Sequence, residues 1–262
     1  MNARYAEILA GAEAIAADAA STLSALQRGS LNVSRKALRD VVTEADLASE
    51  ERVIRGIRAL TPNAAILSEE AGASGPSGGP RWIVDPLDGT VNYAAGLPWF
   101  SVTLAYQEAG VTRVGVTHAP AVGIVARYAE GSVSTVNGRT AQVSRRDTLA
   151  DAVVSIVLTS HFTDAEVART ADAVRRLGGK VRGVRIIVSG GLEMTLVADG
   201  QLDAFVSLKA DAVSHAAAMP LVRAAGGRVT RLDGRDASDD DSERVASNGL
   251  IHDALLDCLR GA

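Results

Sequence analysis

The stretch "WIVDPLDGTVNY", residues 82–93, sets Asp85 and Asp88 at the end of an apolar run, with Pro86 between them and Gly89 and Thr90 directly behind. Trp82, Ile83 and Val84 read as a buried strand. Pro86 has no N–H to give to a ladder, so the strand is expected to end at Asp85 and the chain to turn. Such a turn lets Asp85 and Asp88 converge on one point, with the Leu87 carbonyl between them as a third oxygen. Two carboxylates held this close repel strongly unless a proton or a cation lies between them. Ligands that are all oxygen favour Mg2+. A short helix beginning at Gly89 and Thr90 would offer free N–H groups to an anion. A plainer reading stays open, in which the two aspartates shape a turn and cap a helix.

The same layout recurs. "ILSEEAG", residues 66–72, is an apolar run ending in Glu69 and Glu70, and "VVTEAD", residues 41–46, puts Thr43 and Asp46 near a helix start. Each has a bland alternative, Thr43 as an N-cap and the glutamates as solvated loop charges. Three acidic clusters beside buried segments are harder to explain separately.

Outward from these motifs, Ala, Ile and Leu repeat at helical spacing over residues 5–27, predicting an opening helix that stops near Gly29. A second helix is predicted over 44–60, with Leu47, Val53, Ile54 and Ile57 on its buried face. "AAILSEE" reads as a strand, and "GASGPSGGP", residues 72–80, as a surface turn that could move over a site. "FSVTLAYQ", "TRVGVTHAP", "GIVARYAEG" and "SVSTVNG" are β-rich runs joined by turn residues, as in an antiparallel sheet. From about residue 150 strands alternate with helices over 164–177, 190–199 and 212–225. The boundary falls in 145–150. It separates an N-terminal α+β half carrying the metal motifs, residues 1–147, from a C-terminal α/β half, residues 148–262. The acidic run "DASDDDSE", residues 236–243, reads as a solvated loop.

Composition narrows the function. A chain of 262 residues can bury a large core, and 47% hydrophobic with 22% charged residues describes a folded chain rather than a disordered one. Aromatics at 3% argue against a base-stacking surface. A net charge of -4 provides no basic field for nucleic acid or an anionic membrane. The single cysteine, Cys258, excludes an internal disulfide and a multi-cysteine zinc site, and its apolar setting reads as core filling. The opening residues carry Glu7, Glu13 and Asp18 in their apolar pattern, unlike a signal peptide, and no stretch is long enough to span a membrane. A cytoplasmic location is expected.

"VVTEAD", "ILSEEAG" and "WIVDPLDGTVNYAAGLPWFSVTLAY", followed by "LVADGQLDAFV", "AAGGRVT" and "VASN", resemble the successive signatures of the inositol monophosphatase family of Mg2+-dependent, lithium-sensitive sugar phosphatases. The resemblance implies an α/β fold layered as an α-β-α-β-α sandwich, a homodimer, and a small phosphorylated substrate. It implies two or three Mg2+ ions, for which Mn2+ could substitute. Glu69, Asp85 and the Leu87 carbonyl would hold the first ion, and Asp85 would bridge to a second shared with Asp88. Gly89 and Thr90 would present N–H groups to phosphate, Thr43 with Glu69 would orient and deprotonate the attacking water, and Asp46 would support that network.

The chain departs from the family in its second half. Where members usually carry a Trp-Asp pair ahead of "AGG", this chain has Val213 and Ser214. Asp211 stands one helical turn upstream. It could supply the missing metal ligand or simply cap the helix. His215 could contact substrate or phosphate, or lie on the surface. In "RIIVSGGLEM" Val188 takes a glycine-like position, with Ser189 in the run that would line the substrate pocket, and Ser207 replaces a sugar-contacting glutamate. The expected activity is therefore phosphomonoester hydrolysis on a polyol, sugar or nucleoside, not restricted to inositol monophosphate. The alternative is a catalytically weakened member that binds or regulates, kept open by Ser214.

Overall fold

The first helix, α1 (Ala3–Gln27), starts where Asn2 Oδ1 accepts the Arg4 N–H at 3.0 Å. It buries Ile8, Ala12, Ala16, Ala19 and Leu23 along one stripe. The structure, a computed structural model, describes residues 2–28, 33–37, 40–159, 161–209 and 211–260, and of residues 33–37 and 40–43 the backbone alone. Gly29, the expected stop, lies outside the described residues. Strands β1 (Val33–Ala37) and β2 (Asp40–Thr43) pair antiparallel.

Helix α2 (Glu44–Leu60) packs so close to α1 that a Cβ on Gly56 would stand 2.6 Å from Ile15 Cγ1. Val53 and Ile57 are buried as the periodicity predicts, but Leu47 is 56% exposed. The inward stripe of the first turns is polar instead. Ser49 donates to the Pro86 carbonyl at 2.7 Å, and Glu50 accepts from the Ser68 hydroxyl and the Ala71 N–H. These bonds turn Asp46, Ser49 and Glu50 inward and leave Leu47 on the outer side.

Strands β3 (Ala65–Ser68), β4 (Gly72–Ser74) and β5 (Arg81–Asp88) precede a short helix, α3 (Thr90–Ala94). Strands β6 (Ser101–Glu108), β7 (Val111–Ala119), β8 (Ile124–Ala129), β9 (Thr135–Val136) and β10 (Arg139–Thr140) follow. They form an eight-stranded sheet in the order β10-β9-β8-β7-β6-β5-β3-β4. β3 and β5 run parallel, and β5 to β10 alternate as predicted. The turn expected over 72–80 begins instead as β4, paired with β3. Its Gly78, Gly79 and Pro80 border a depression beside Arg4 and Glu108.

The second half contains β11 (Val153–Ile156), α4 (Asp164–Gly178), β12 (Gly183–Arg185), α5 (Gly190–Ala198) and β13 (Ala204–Ser207). It continues through α6 (Ala212–His215), α7 (Ala218–Ala224), β14 (Arg228–Thr230), β15 (Arg244–Ser247) and α8 (His252–Leu259). The helix expected over 212–225 is split between α6 and α7, because Pro220 has no N–H for the Ala216 carbonyl. The five strands order as β12-β11-β13-β15-β14. The acidic run is folded rather than simply solvated. Asp239 accepts from Gln107 Nε2, and Asp241 accepts from Ser238 and pairs with Arg231.

Apolar cores fill the space between layers. α1 and α2 cover one face of the large sheet, α5 and α7 lie between the two sheets, and α4 and α8 cover the far face of the small one. Every residue of α5 is buried, as a helix in a middle layer requires. The result is the five-layer α-β-α-β-α sandwich. Cys258 is buried in the outer core. Among the described residues no helix is long and apolar enough to cross a membrane.

Candidate active site

Strand β5 does not stop at Asp85. Its pairing with β6 slips there, Asp85 standing opposite Thr103 and Asp88 opposite Ser101, so three steps on one strand match two on the other. This is a β-bulge, and Pro86 sits within it, where no ladder N–H is required. In a regular strand residues three apart point to opposite faces. The extra residue resets that alternation, and Asp85 and Asp88 line one cavity of about 490 Å³. Parallel β3 ends beside β5, and the Glu69 N–H bonds to the Val84 carbonyl at 3.1 Å, which delivers the Glu69 side chain to the same cavity.

Glu69 and Asp85 come within hydrogen-bond reach of one another. Glu69 keeps contact with solvent in the cavity, yet the enclosing protein strips hydration from its carboxyl and pushes it up to about 7. The charges of Asp211, Glu70 and Asp88 add to that rise, and the bond to Asp85 opposes it. Burial also raises Asp85 well above the usual carboxylate range, reinforced by Glu69, Asp88 and Asp211. Two acids in this state require a shared proton or a cation. The Leu87 carbonyl lies between the aspartates in sequence and accepts from Thr90 Oγ1 at 3.0 Å.

Gly89 and Thr90 line the cavity. Gly89 has φ 90°, and a Cβ there would lie 2.6 Å from the Trp99 carbonyl, so the turn into α3 admits no side chain. The Thr90 hydroxyl also lies 3.0 Å from Asp46 Oδ1, with Asp46 buried beneath. Thr43 closes β2, but its side chain lies outside the described residues.

Asp88 is held by α5. Its Oδ2 accepts from Ser101 and Ser189 hydroxyls at 2.9 and 2.7 Å and from the Gly191 and Leu192 N–H groups at 3.0 and 3.4 Å. Its Oδ1 accepts from the Gly190 N–H at 3.0 Å. Burial raises the Asp88 carboxyl, and the two hydroxyls oppose the rise. Ser189, expected at the substrate, is fully buried behind Asp88 and is absent from the cavity wall. The "GG" after it allows the approach. A Cβ on Gly190 would collide with His215 Nε2, and one on Gly191 would stand 2.5 Å from Thr103 Cγ2.

His215, whose surface reading the structure corrects, is 2% exposed and lines the cavity. Arg244 Nη1 lies 2.8 Å from its Nδ1. A guanidinium only donates, so Nδ1 accepts and the ring proton resides on Nε2. Burial, and then the Arg244 charge, push this imidazole down to about 3, so it is neutral. Arg244 is itself fully buried and also donates to the Ser238 carbonyl at 2.7 Å. Nothing in the local sequence marks it, because its partners come from distant segments.

Asp211 takes the capping position and also reaches Ser214. Oδ1 accepts the Val213 N–H at 2.8 Å as the N-cap of α6, and Oδ2 lies 2.9 Å from the Ser214 hydroxyl. That hydroxyl lies 2.7 Å from Asp85 Oδ2. Among the described residues no three His, Cys, Asp or Glu side chains are grouped to hold one metal ion. Glu69, Asp85 and the Leu87 carbonyl are two carboxylates and a carbonyl, an all-oxygen donor set that fits a hard cation. Val157, Leu158, His161, Phe162 and Lys209, none of which the motifs identified, also line the cavity.

Known proteins share this architecture. A Thermotoga maritima protein described as fructose-1,6-bisphosphatase/inositol-1-monophosphatase is 35% identical over 226 residues, covering 86% of this chain and 85% of that protein. A histidinol-phosphatase of Mycobacterium tuberculosis is 34% identical, covering 92% of this chain and 93% of its own. The crystal structure of extragenic suppressor protein suhB from Bartonella henselae superposes with a TM-score of 0.91 at 28% identity, covering 97% and 98% of the two chains. The family model described as inositol monophosphatase family matches residues 4–260, so through every layer of the sandwich the chain belongs to that family.

Proposed function

We propose that the protein is a Mg2+-dependent phosphomonoesterase that hydrolyses a small phosphorylated polyol, sugar or nucleoside, with a range wider than inositol monophosphate. The observation that supports this most is the Glu69–Asp85 pair, two acids crowded within hydrogen-bond reach of one another at one cavity, an arrangement that a cation would stabilise. Glu69, Asp85 and the Leu87 carbonyl would hold Mg2+. When bound, the ion would neutralise phosphate charge and acidify a water. Glu69, then ionised, would accept the proton of the attacking water, and Thr43 is proposed to orient it. Gly89 and Thr90 would meet the phosphate, with Asp46 fixing the Thr90 hydroxyl. His215 would direct its Nε2–H toward substrate oxygens without changing charge.

The wider range draws support from Ser207, which is buried and bonds the Lys209 carbonyl at 2.8 Å in place of a sugar-contacting acid. Relatives described as acting on fructose bisphosphate, inositol phosphate and histidinol phosphate are consistent with it. The cavity takes residues from both proposed halves, 1–147 and 148–262, so neither half alone is expected to act. Phosphate release from a panel of inositol, sugar, histidinol and nucleoside monophosphates, with and without Mg2+, tests the proposal. Absence of turnover on every member refutes it. A second reading, a binding or regulatory protein with weakened catalysis, rests on Ser214 at the usual aspartate position. It predicts ligand binding in calorimetry without turnover. A cytoplasmic homodimer is proposed with either reading, and light scattering tests its oligomeric part.

A further inference from the structure

Five carboxylates line the cavity, Glu69, Glu70, Asp85, Asp88 and Asp211, and they are not equivalent. Asp88 is already matched by five protein donors, three of them the leading N–H groups of α5. Asp211 caps α6 with one oxygen and meets Ser214 with the other. Ser214 Oγ lies 2.7 Å from Asp85 Oδ2 and 2.9 Å from Asp211 Oδ2, and Ser214 is 5% exposed. A hydroxyl has one proton to give, so Ser214 serves the two carboxylates as a neutral link held between them. The three oxygens therefore form a hydroxyl-centred bridge from β5 to α6. Glu69 and Asp85 instead meet directly, within hydrogen-bond reach of one another.

We propose that the chain holds a single divalent cation, on Glu69, Asp85 and the Leu87 carbonyl, and that the Ser214 hydroxyl, clamped between Asp85 and Asp211, fills the position of a second. The inference rests on the metal-dependent reading above. Ser214 is neutral and has one proton to give to either acid, whereas a carboxylate in its place would make three acids converge and call for a cation. Asp88 serves the architecture by anchoring α5, and its charge is spent on the helix start.

The test is a count of bound Mn2+ per chain, by calorimetry and by electron paramagnetic resonance, on the full-length protein with saturating inorganic phosphate. One ion per wild-type chain is expected, rising to two in Ser214→Asp. Two ions in the wild type overturn the proposal and leave the metal-dependent reading standing. No ion overturns both. A folded Ser214→Asp that still holds one ion overturns the role given to Ser214. Should that variant fail to fold, Asp211→Asn, which keeps an N-cap, decides. It is expected to retain one ion, and a loss of affinity beyond about tenfold would place Asp211 among the ligands and overturn the proposal.

Discussion

A carboxyl facing another carboxyl is a source of instability that function can exploit. Asp85 is buried, bonded to the Leu87 N–H at 3.0 Å and to Ser214, and crowded by Glu69. Asp85→Asn keeps the shape and removes the repulsion. Without metal the variant should be more stable by about 0.5–2 kcal/mol. It should also lose on the order of 10²-fold or more in Mg2+-dependent phosphate release. Thermal melts in chelator and a phosphate-release assay read the two effects. Equal or lower stability in chelator would show that the pair is not strained. At this scale Glu69, Asp85 and Asp88 were legible because each follows an apolar run that fixes where its strand delivers it. Ser189 was misread, and the two readings of His215 stayed open, because their burial is set by Asp88 and Arg244, residues about 100 and 29 positions away.

The element that shapes the site is the turn from β12 into α5. Val188 has φ 62°, in the left-handed region that a β-branched side chain rarely adopts, and its carbonyl accepts from Asn92 Nδ2 at 3.2 Å. Val188→Gly should raise stability by about 1 kcal/mol by removing that strain, as read by urea unfolding. A decrease would mean that Val188 packing outweighs its backbone. Gly191 behaves in the opposite sense. Alanine is the better helix former by about 1 kcal/mol, yet a Cβ there would press on Thr103 and on the Ser214 carbonyl, 2.9 Å away. Gly191→Ala should therefore destabilise by about 1–3 kcal/mol and lower activity by shifting α5 from Asp88. A neutral variant would show that α5 can retreat without loss. Element type and extent were legible for α2, where the period is strong. The orientation of Leu47 was not, because the first turns face a polar network formed with Pro86, Ser68 and Ala71. The β5 bulge was hidden too, since Pro86 reads equally as a terminator.

Across the whole molecule, the change from antiparallel runs to strand–helix alternation was visible in the sequence. The order of layers came only through family resemblance, because nothing local states that α5 and α7 separate two sheets. That layering buries titratable groups whose effects on stability oppose each other. Glu69 is raised to about 7 and Glu193, inside α5, to about 8 by burial. An acid raised in the folded state stabilises at low pH, and the contribution is lost as pH rises from the ordinary glutamate range through those values. His215 and His252 are lowered to about 3 and about 4, by burial first and then by Arg244 and Arg228 respectively. Their contribution is complete above the ordinary histidine value and is lost as pH falls toward the folded values, because the unfolded chain takes up the protons first. Metal-free protein should therefore be most stable on the acid side of neutrality, weakening in both directions. A cation must displace the proton at Glu69, so Mg2+ should raise the melting temperature more above the Glu69 value of about 7 than below it, with protons released on binding. Melts across pH with and without Mg2+, together with calorimetry in buffers of different ionisation enthalpy, measure both. A Mg2+ shift independent of pH, with no proton release, would mean that Glu69 is already ionised in the metal-free protein and that the Glu69–Asp85 pair is not where the cation binds.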